Sequence, residues 1–135
     1  MEAYTIEKDI RVFGKPVPSF PMGIKDAYDS LVEMVPDAIR RSYYGLSRFD
    51  ANGSILYYAT VEEAYQGEGK IYHLDEYSVE KGEYLSVVVL NWYTKTDCIK
   101  DVFHELMQHP DADLTKNCVE WYKSDYEMLC MIGKK

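Results

Sequence analysis

Cysteine is scarce and unpatterned in this chain, with Cys98, Cys118 and Cys130 its only three. They show no CxxC spacing and no histidine pairing, which argues against a structural zinc site, and an odd count argues against a secreted disulfide framework. Positive charge is in deficit. Fifteen Lys and Arg stand against 23 Asp and Glu, a net charge of −8. A domain this acidic repels phosphate backbones and anionic lipid, so direct nucleic-acid or membrane-surface binding is not expected. Long apolar runs are missing too; Val87-Val88-Val89-Leu90 falls far short of the ~20 residues needed to cross a bilayer. The opening Met1-Glu2-Ala3-Tyr4-Thr5 has neither the basic nor the apolar region of a signal peptide, and the expected compartment is the cytoplasm.

The motifs of common enzyme classes are missing as well. No P-loop, GxSxG or dinucleotide glycine fingerprint occurs. His104-Glu105 with His109 is not HExxH, because the second histidine comes one residue too late to share the helix face. Asp50-Ala51-Asn52-Gly53-Ser54 imitates a calcium loop, but position twelve is Val61 rather than Glu, so it reads as a turn. No metal and no cofactor is expected.

What the chain has is length for one domain over residues 1–135, and 13 tyrosines. Tyrosine joins a flat apolar face to a polar tip, which suits a pocket wall as well as a core edge. Residues 4–17 read as one extended segment, broken by Pro16, Pro18 and Pro21, the last of which is expected to open a helix. Ile24, Ala27, Tyr28, Leu31 and Val35 follow helical spacing, ending near Pro36. Tyr43–Ser47 and Ile55–Val61 flank Asp50-Ala51-Asn52-Gly53, a hairpin signal because Asn and Gly tolerate positive φ. The second half repeats this order. A short extended piece near Tyr72–Val79 and a Lys81-Gly82 turn precede a strand over Glu83–Leu90. A helix follows, marked by Ile99, Val102, Phe103 and Leu106, with Thr94 and Asp97 spaced as a capping box. Cys118–Tyr122 and Tyr126–Met131 form a closing hairpin about Ser124, which would set Cys118 roughly opposite Cys130. The expected fold is α+β: two tandem β-α-β-β units with pseudo-twofold symmetry, an antiparallel sheet, and two main helices on one face around a central groove.

Glu120 is the outstanding candidate for function. In an extended Cys118–Tyr122 it shares a face with Cys118 and Tyr122, since side chains alternate with period two. The hairpin adds Tyr126, Met128 and Cys130 to that face. A carboxylate among thiols, thioethers and phenols is poorly solvated; it either titrates high or awaits a cation. Aromatic pairs recur at Tyr43-Tyr44, Tyr57-Tyr58, Trp92-Tyr93 and Trp121-Tyr122, each turning one ring to each face of its strand. Rings around a carboxylate combine cation–π attraction with an ion pair. For any single tyrosine, ordinary core packing is the competing role.

Tyr43-Tyr44-Gly45-Leu46, Lys81-Gly82-Glu83-Tyr84 and Val119-Glu120-Trp121-Tyr122, in this order over residues 3–133, resemble the GyrI-like small-molecule-binding domain. That domain is the effector-binding domain of multidrug-sensing transcription activators and the fold of the gyrase-inhibitory protein. The resemblance implies a groove with a buried glutamate on its floor, matching Glu120 with Tyr122, and wall rings at Tyr43 or Tyr44 and at Tyr57 or Tyr58. The candidate ligand-binding set is Glu120, Tyr122, Tyr44, Tyr43, Tyr58 and Trp92. Asn91-Trp92-Tyr93 replaces the family's small turn before the second helix. The activators' DNA-binding helical domain has no counterpart in this sequence.

The leading expectation is a stand-alone binder of bulky, lipophilic, cationic aromatic compounds, serving sensing or sequestration. Two other readings stand beside it. One is a hydrolase with Glu120 as general base and Tyr122 or Tyr44 as donor. The other is an acidic inhibitor of a basic protein partner.

Overall fold

The computed structural model describes residues 1–18 and 22–135; the helix-opening role expected of Pro21 lies outside them. The chain runs β1 (Glu2–Ile6), β2 (Ile10–Pro16), α1 (Ile24–Met34), β3 (Tyr43–Phe49), β4 (Ile55–Glu62), α2 (Glu68–Ile71), β5 (Asp75–Val79), β6 (Gly82–Leu90), α3 (Thr96–Gln108), β7 (Cys118–Tyr122) and β8 (Glu127–Gly133). All strand pairs are antiparallel, in the order β1-β6-β8-β7-β3-β4-β2-β5. The two expected units are β2-α1-β3-β4 and β6-α3-β7-β8, and β3 joins β7 at the centre of the sheet.

The extended segment expected over residues 4–17 is instead two strands that pair at opposite sides of the sheet. Each unit receives its outermost strand from outside its own β-α-β-β run: β1 borders β6, and β5 borders β2. In a flat sheet β1 and β2 would stand six spacings apart, ~29 Å at ~4.8 Å each. Yet only residues 7–9 link them, and four Cα steps reach ~15 Å at most. The sheet therefore has to curl. Its inner face closes on Ile6, Val12, Tyr44, Leu46, Val79, Tyr84, Val119, Leu129 and Met131, a single cluster drawn from both sides of the sheet.

The outer face carries the helices. Ala27 and Leu31 of α1 pack on Phe13, Tyr57, Ala59 and Val61. Phe103 and Leu106 of α3 pack on Leu85, Val89, Met128, Cys130 and Ile132. Both helices bury an apolar stripe of i, i+3/i+4 spacing, as their sequences predict. The capping box does not form. The Thr94 hydroxyl donates to Asn91 O, 2.8 Å, within a short 3₁₀ turn, and α3 begins without a side-chain cap. The Asp50–Gly53 turn does form, with Asp50 Oδ1 accepting from the backbone N–H groups of Asn52 and Ser54. Only Gly53 adopts positive φ there, +81°.

Candidate functional site

On the outer face of the two central strands, between the helix-covered clusters, Gly45 of β3 pairs with Glu120 of β7 in the middle of a five-pair ladder. The alternation of β7 turns Glu120 outward with Cys118 and Tyr122, as the sequence predicts, and β8 adds Met128 and Cys130. The hairpin register sets Cys130 opposite Glu120 and Cys118 opposite Ile132. The two cysteines are therefore diagonal rather than opposed, and all three thiols are free. Tyr126 falls outside both strands and is exposed.

Glu120 is 9% exposed, and its carboxylate is pinned on one oxygen. Oε1 accepts from Tyr57 Oη at 2.7 Å and from Tyr122 Oη at 3.1 Å. The two phenol oxygens lie 3.2 Å apart, and Tyr28 Oη of α1 lies 3.3 Å from Tyr57 Oη while donating to Tyr44 O at 2.9 Å. Gly45 makes this arrangement possible. A Cβ at that position would stand 2.2 Å from Tyr57 Oη and 2.5 Å from Glu120 Oε1, so any side chain would displace the carboxylate or the phenol.

Among the described residues, aromatic rings cover the cluster. Tyr122 meets Tyr28 edge-on at 5.3 Å and Trp92 edge-on at 5.0 Å, so its ring is held between elements that precede or form the two helices. Trp92 is fixed by its indole N–H, which donates to Ser124 O at 3.0 Å. Tyr43, half-buried, stands edge-on to Tyr28 at 6.2 Å and donates its hydroxyl to Ala38 O.

The candidates thus divide. Tyr122, Trp92 and Tyr43 lie on the Glu120 face. Tyr44 and Tyr58 do not: Tyr44 stacks on Trp121 and Tyr58 packs against Tyr77, both on the inner face. Strand alternation is the cause, since Tyr43 shares a face with its partner Tyr122, and Tyr57 with Gly45 and Glu120 through the β3–β4 register. Tyr44 accordingly cannot serve as a hydroxyl donor beside Glu120. Two residues outside the candidate set, Tyr28 and Tyr57, occupy the site instead. The sequence offers Tyr57 as one of two alternatives for its position, and Tyr28 reads in sequence as part of a core stripe. A helical tyrosine facing a sheet that carries a glutamate is the signal that could have found it, because its hydroxyl needs a buried partner.

Burial raises the Glu120 carboxyl above the ordinary 4.5, opposed in part by the hydrogen bonds from Tyr57 and Tyr122. Tyr57 and Tyr122 are held well above 10.0, first by burial and then by the Glu120 charge. Cys118 is pushed up to about 11 by burial and by Glu120, and Cys130 rises for the same reasons. Among the described residues no Lys, Arg or His forms an ion pair with Glu120. No group of three or more His, Cys, Asp or Glu side chains among them could hold a metal ion. The site is a hydrogen-bonded carboxyl under aromatic rings. It can offer negative charge, phenol donors and ring faces.

No family model and no curated protein sequence matches this chain. Solved structures share its fold. An integron cassette protein from the mobile metagenome of Vibrio cholerae superposes with a TM-score of 0.72 at 14% identity, over 99% of this chain and 95% of that one. The protein SAV2435, solved bound to tetraphenylphosphonium, gives 0.70 at 10% identity, over 99% and 93%. A candidate bacterial transcription regulation protein from Staphylococcus aureus gives 0.63 at 11% identity, over 99% and 97%. Likeness at this identity extends to the fold, and the α+β architecture, an antiparallel curled sheet with helices on one face, is shared along essentially the whole chain.

Proposed function

We propose that this chain is a GyrI-like binding domain that takes a lipophilic organic cation at Glu120. The observation that carries the reading is Glu120, a residue nine-tenths buried and fixed by two phenols, with no Lys, Arg or His among the described residues in an ion pair with it. Burying an ionised carboxylate without a cation is unfavourable by several kcal/mol, and a ligand that brings the charge removes that penalty. Tyr28, Tyr122 and Trp92 supply ring edges and faces for an aromatic or quaternary ligand. Oε2, the carboxyl oxygen that no described side chain engages, is the atom the cation would meet.

Two fold neighbours support this reading. One was solved with tetraphenylphosphonium, a bulky lipophilic cation, and another is described as a candidate transcription regulation protein. In this chain the bound cation would serve sensing through a partner, or sequestration. Among the described residues no helix is long and apolar enough to cross a membrane.

Thermal stabilisation tests the proposal. Tetraphenylphosphonium at ~100 times its Kd stabilises a one-site protein by ~2.7 kcal/mol, and the neutral triphenylphosphine oxide serves as control. The expected result is stabilisation by the cation that is lost in Glu120→Gln. Equal shifts in wild type and variant, or no shift with cations of any size, would refute it.

A further inference from the structure

The two oxygens of Glu120 are not equivalent. Oε1 accepts from both Tyr57 and Tyr122, which uses its two lone-pair directions. Among the described residues Oε2 accepts no hydrogen bond. Oε2 keeps a trace of solvent contact, since it is not among the fully buried polar atoms left without a partner, but the carboxyl cannot swing further out, because Oε1 is tied down by two phenols and lies where a Cβ on Gly45 would clash. Among the described residues, the groups that face it are acids or neutral: Tyr28 from α1, Tyr57 from β4, Tyr122 and Cys118 from β7, and Cys130 from β8. Strand β3 contributes Gly45, the Trp92 ring covers Tyr122, and α3 turns Phe103 and Leu106 to the sheet. Each of these acids is weaker than a carboxyl, so none donates its proton to Glu120 outright and none supplies positive charge. Burial acts in the same direction by favouring the neutral carboxyl.

We propose that Oε2 of Glu120 carries a proton and that an organic cation binds by replacing it, which makes the site a one-for-one proton–cation exchanger. This rests on the binding function proposed above and specifies its ligand chemistry. The Oε2–H bond breaks, the proton leaves to water or buffer, and the carboxylate remains paired with the cation, so the buried charge is zero before and after. Three ligand classes then behave differently. A permanent cation binds more tightly as pH rises, by about tenfold per unit while Glu120 is protonated in the free protein. A neutral isostere meets the acid form and shows no pH dependence below the titration of Glu120. A weak base that arrives neutral accepts the proton itself, becomes the cation in place, and releases none.

Titration calorimetry with tetraphenylphosphonium, in two buffers of different ionisation enthalpy at one acidic pH, counts the protons released. The expected count is about one per cation bound, with triphenylphosphine oxide as the neutral comparison giving none. Infrared spectra of the unliganded protein supply an independent reading: the C=O stretch of a protonated carboxyl should be present in wild type and missing in Glu120→Gln. Tyr57→Phe keeps the carboxyl and removes the nearer donor to Oε1, so the pH midpoint of cation affinity should move up. Binding that releases no proton at any pH, or an unliganded protein without the Glu120 C=O band, overturns the exchange and leaves the binding function standing. An absence of cation binding at every pH overturns both.

Discussion

Among the described residues two glutamates are buried, Glu68 and Glu120, and they are solved in opposite ways. The Glu68 side chain is fully buried at the start of α2, and all of its acceptor capacity is directed at donors. Arg41 grips it with Nη1 to Oε1 at 2.6 Å and Nη2 to Oε2 at 2.8 Å, the backbone N–H of Ala64 donates at 2.8 Å, and Tyr72 Oη at 3.3 Å. Its pKa is held below 4.5, first by the Arg41 hydrogen bonds. Glu120 has two phenols on one oxygen and no cation, and its pKa is held above 4.5. The chain thus has the means to neutralise a buried carboxylate with arginine and uses them where the contact fixes α2 to the segment that enters β3. A structural glutamate comes with its cation; one left with phenols alone is suited to a cation from outside.

The contrast is broken most forcefully at Arg41. Arg41→Ala leaves Glu68 buried and unpaired, and the expected loss is about 3–5 kcal/mol of folding stability, read from denaturant unfolding; a loss below 1 kcal/mol would remove Glu68 as a structural anchor. Gly45→Ala comes next. The added methyl meets Tyr57 Oη and Glu120 Oε1, and relocating them should cost about 1–3 kcal/mol together with cation binding. Wild-type affinity for tetraphenylphosphonium in this variant would show that the Oε1 arrangement is dispensable. Glu120→Gln is expected to change stability at neutral pH by less than about 1 kcal/mol, in the stabilising direction, the reverse of the Arg41 result. Smallest of all, Tyr44→Phe and Tyr58→Phe should leave cation affinity within about twofold of wild type, because both rings face the inner core.

Acid sharpens the same comparison, since the two carboxyls respond with opposite sign. With its folded pKa below the unfolded value, Glu68 contributes stability above pH 4.5 that is lost as pH falls through its folded pKa. Glu120, with its folded pKa raised, contributes stability present below pH 4.5 and lost as pH rises through its folded pKa. Stability measured against pH should therefore separate wild type from Glu120→Gln increasingly above pH 4.5, with the variant the more stable. Coincident curves would mean that burial places no burden on Glu120.

The site's centre was legible in the sequence, because period-two alternation needs only a strand assignment to put Glu120 with Cys118, Tyr122, Met128 and Cys130. The two main helices, α1 and α3, and both hairpins were legible for the same reason, that their signals are local, whereas the one-turn α2 (Glu68–Ile71) was not read. What was not legible depended on register or on distant pairing. Nothing local distinguishes Tyr57 from Tyr58 as the outward ring; the β3–β4 ladder decides it by setting Ser47 opposite Tyr57. Tyr28 looks like one more apolar position on α1 until the strand beneath it is known to carry phenols. Residues 4–17 read as one strand because three linking residues carry no strong turn signal. Their separation into β1 and β2 follows from where the partners lie, in β6 and β4.

That exchange of outer strands bears on how the chain acquires its structure. The bond from Ser86 Oγ to Glu2 O joins residues 84 apart, so β1 is synthesised well before β6 and waits for it before it can pair. Non-local pairing of this kind slows folding, since loop closure precedes any contact that rewards it. A fragment ending at residue 79 would hold β1 with no neighbour to receive it, and a fragment beginning at residue 80 would lack the cover for β6. The two repeats, alike in outline, are kinetically one object, and the exposed strand edges of the half-made chain are where a chaperone would be of most use.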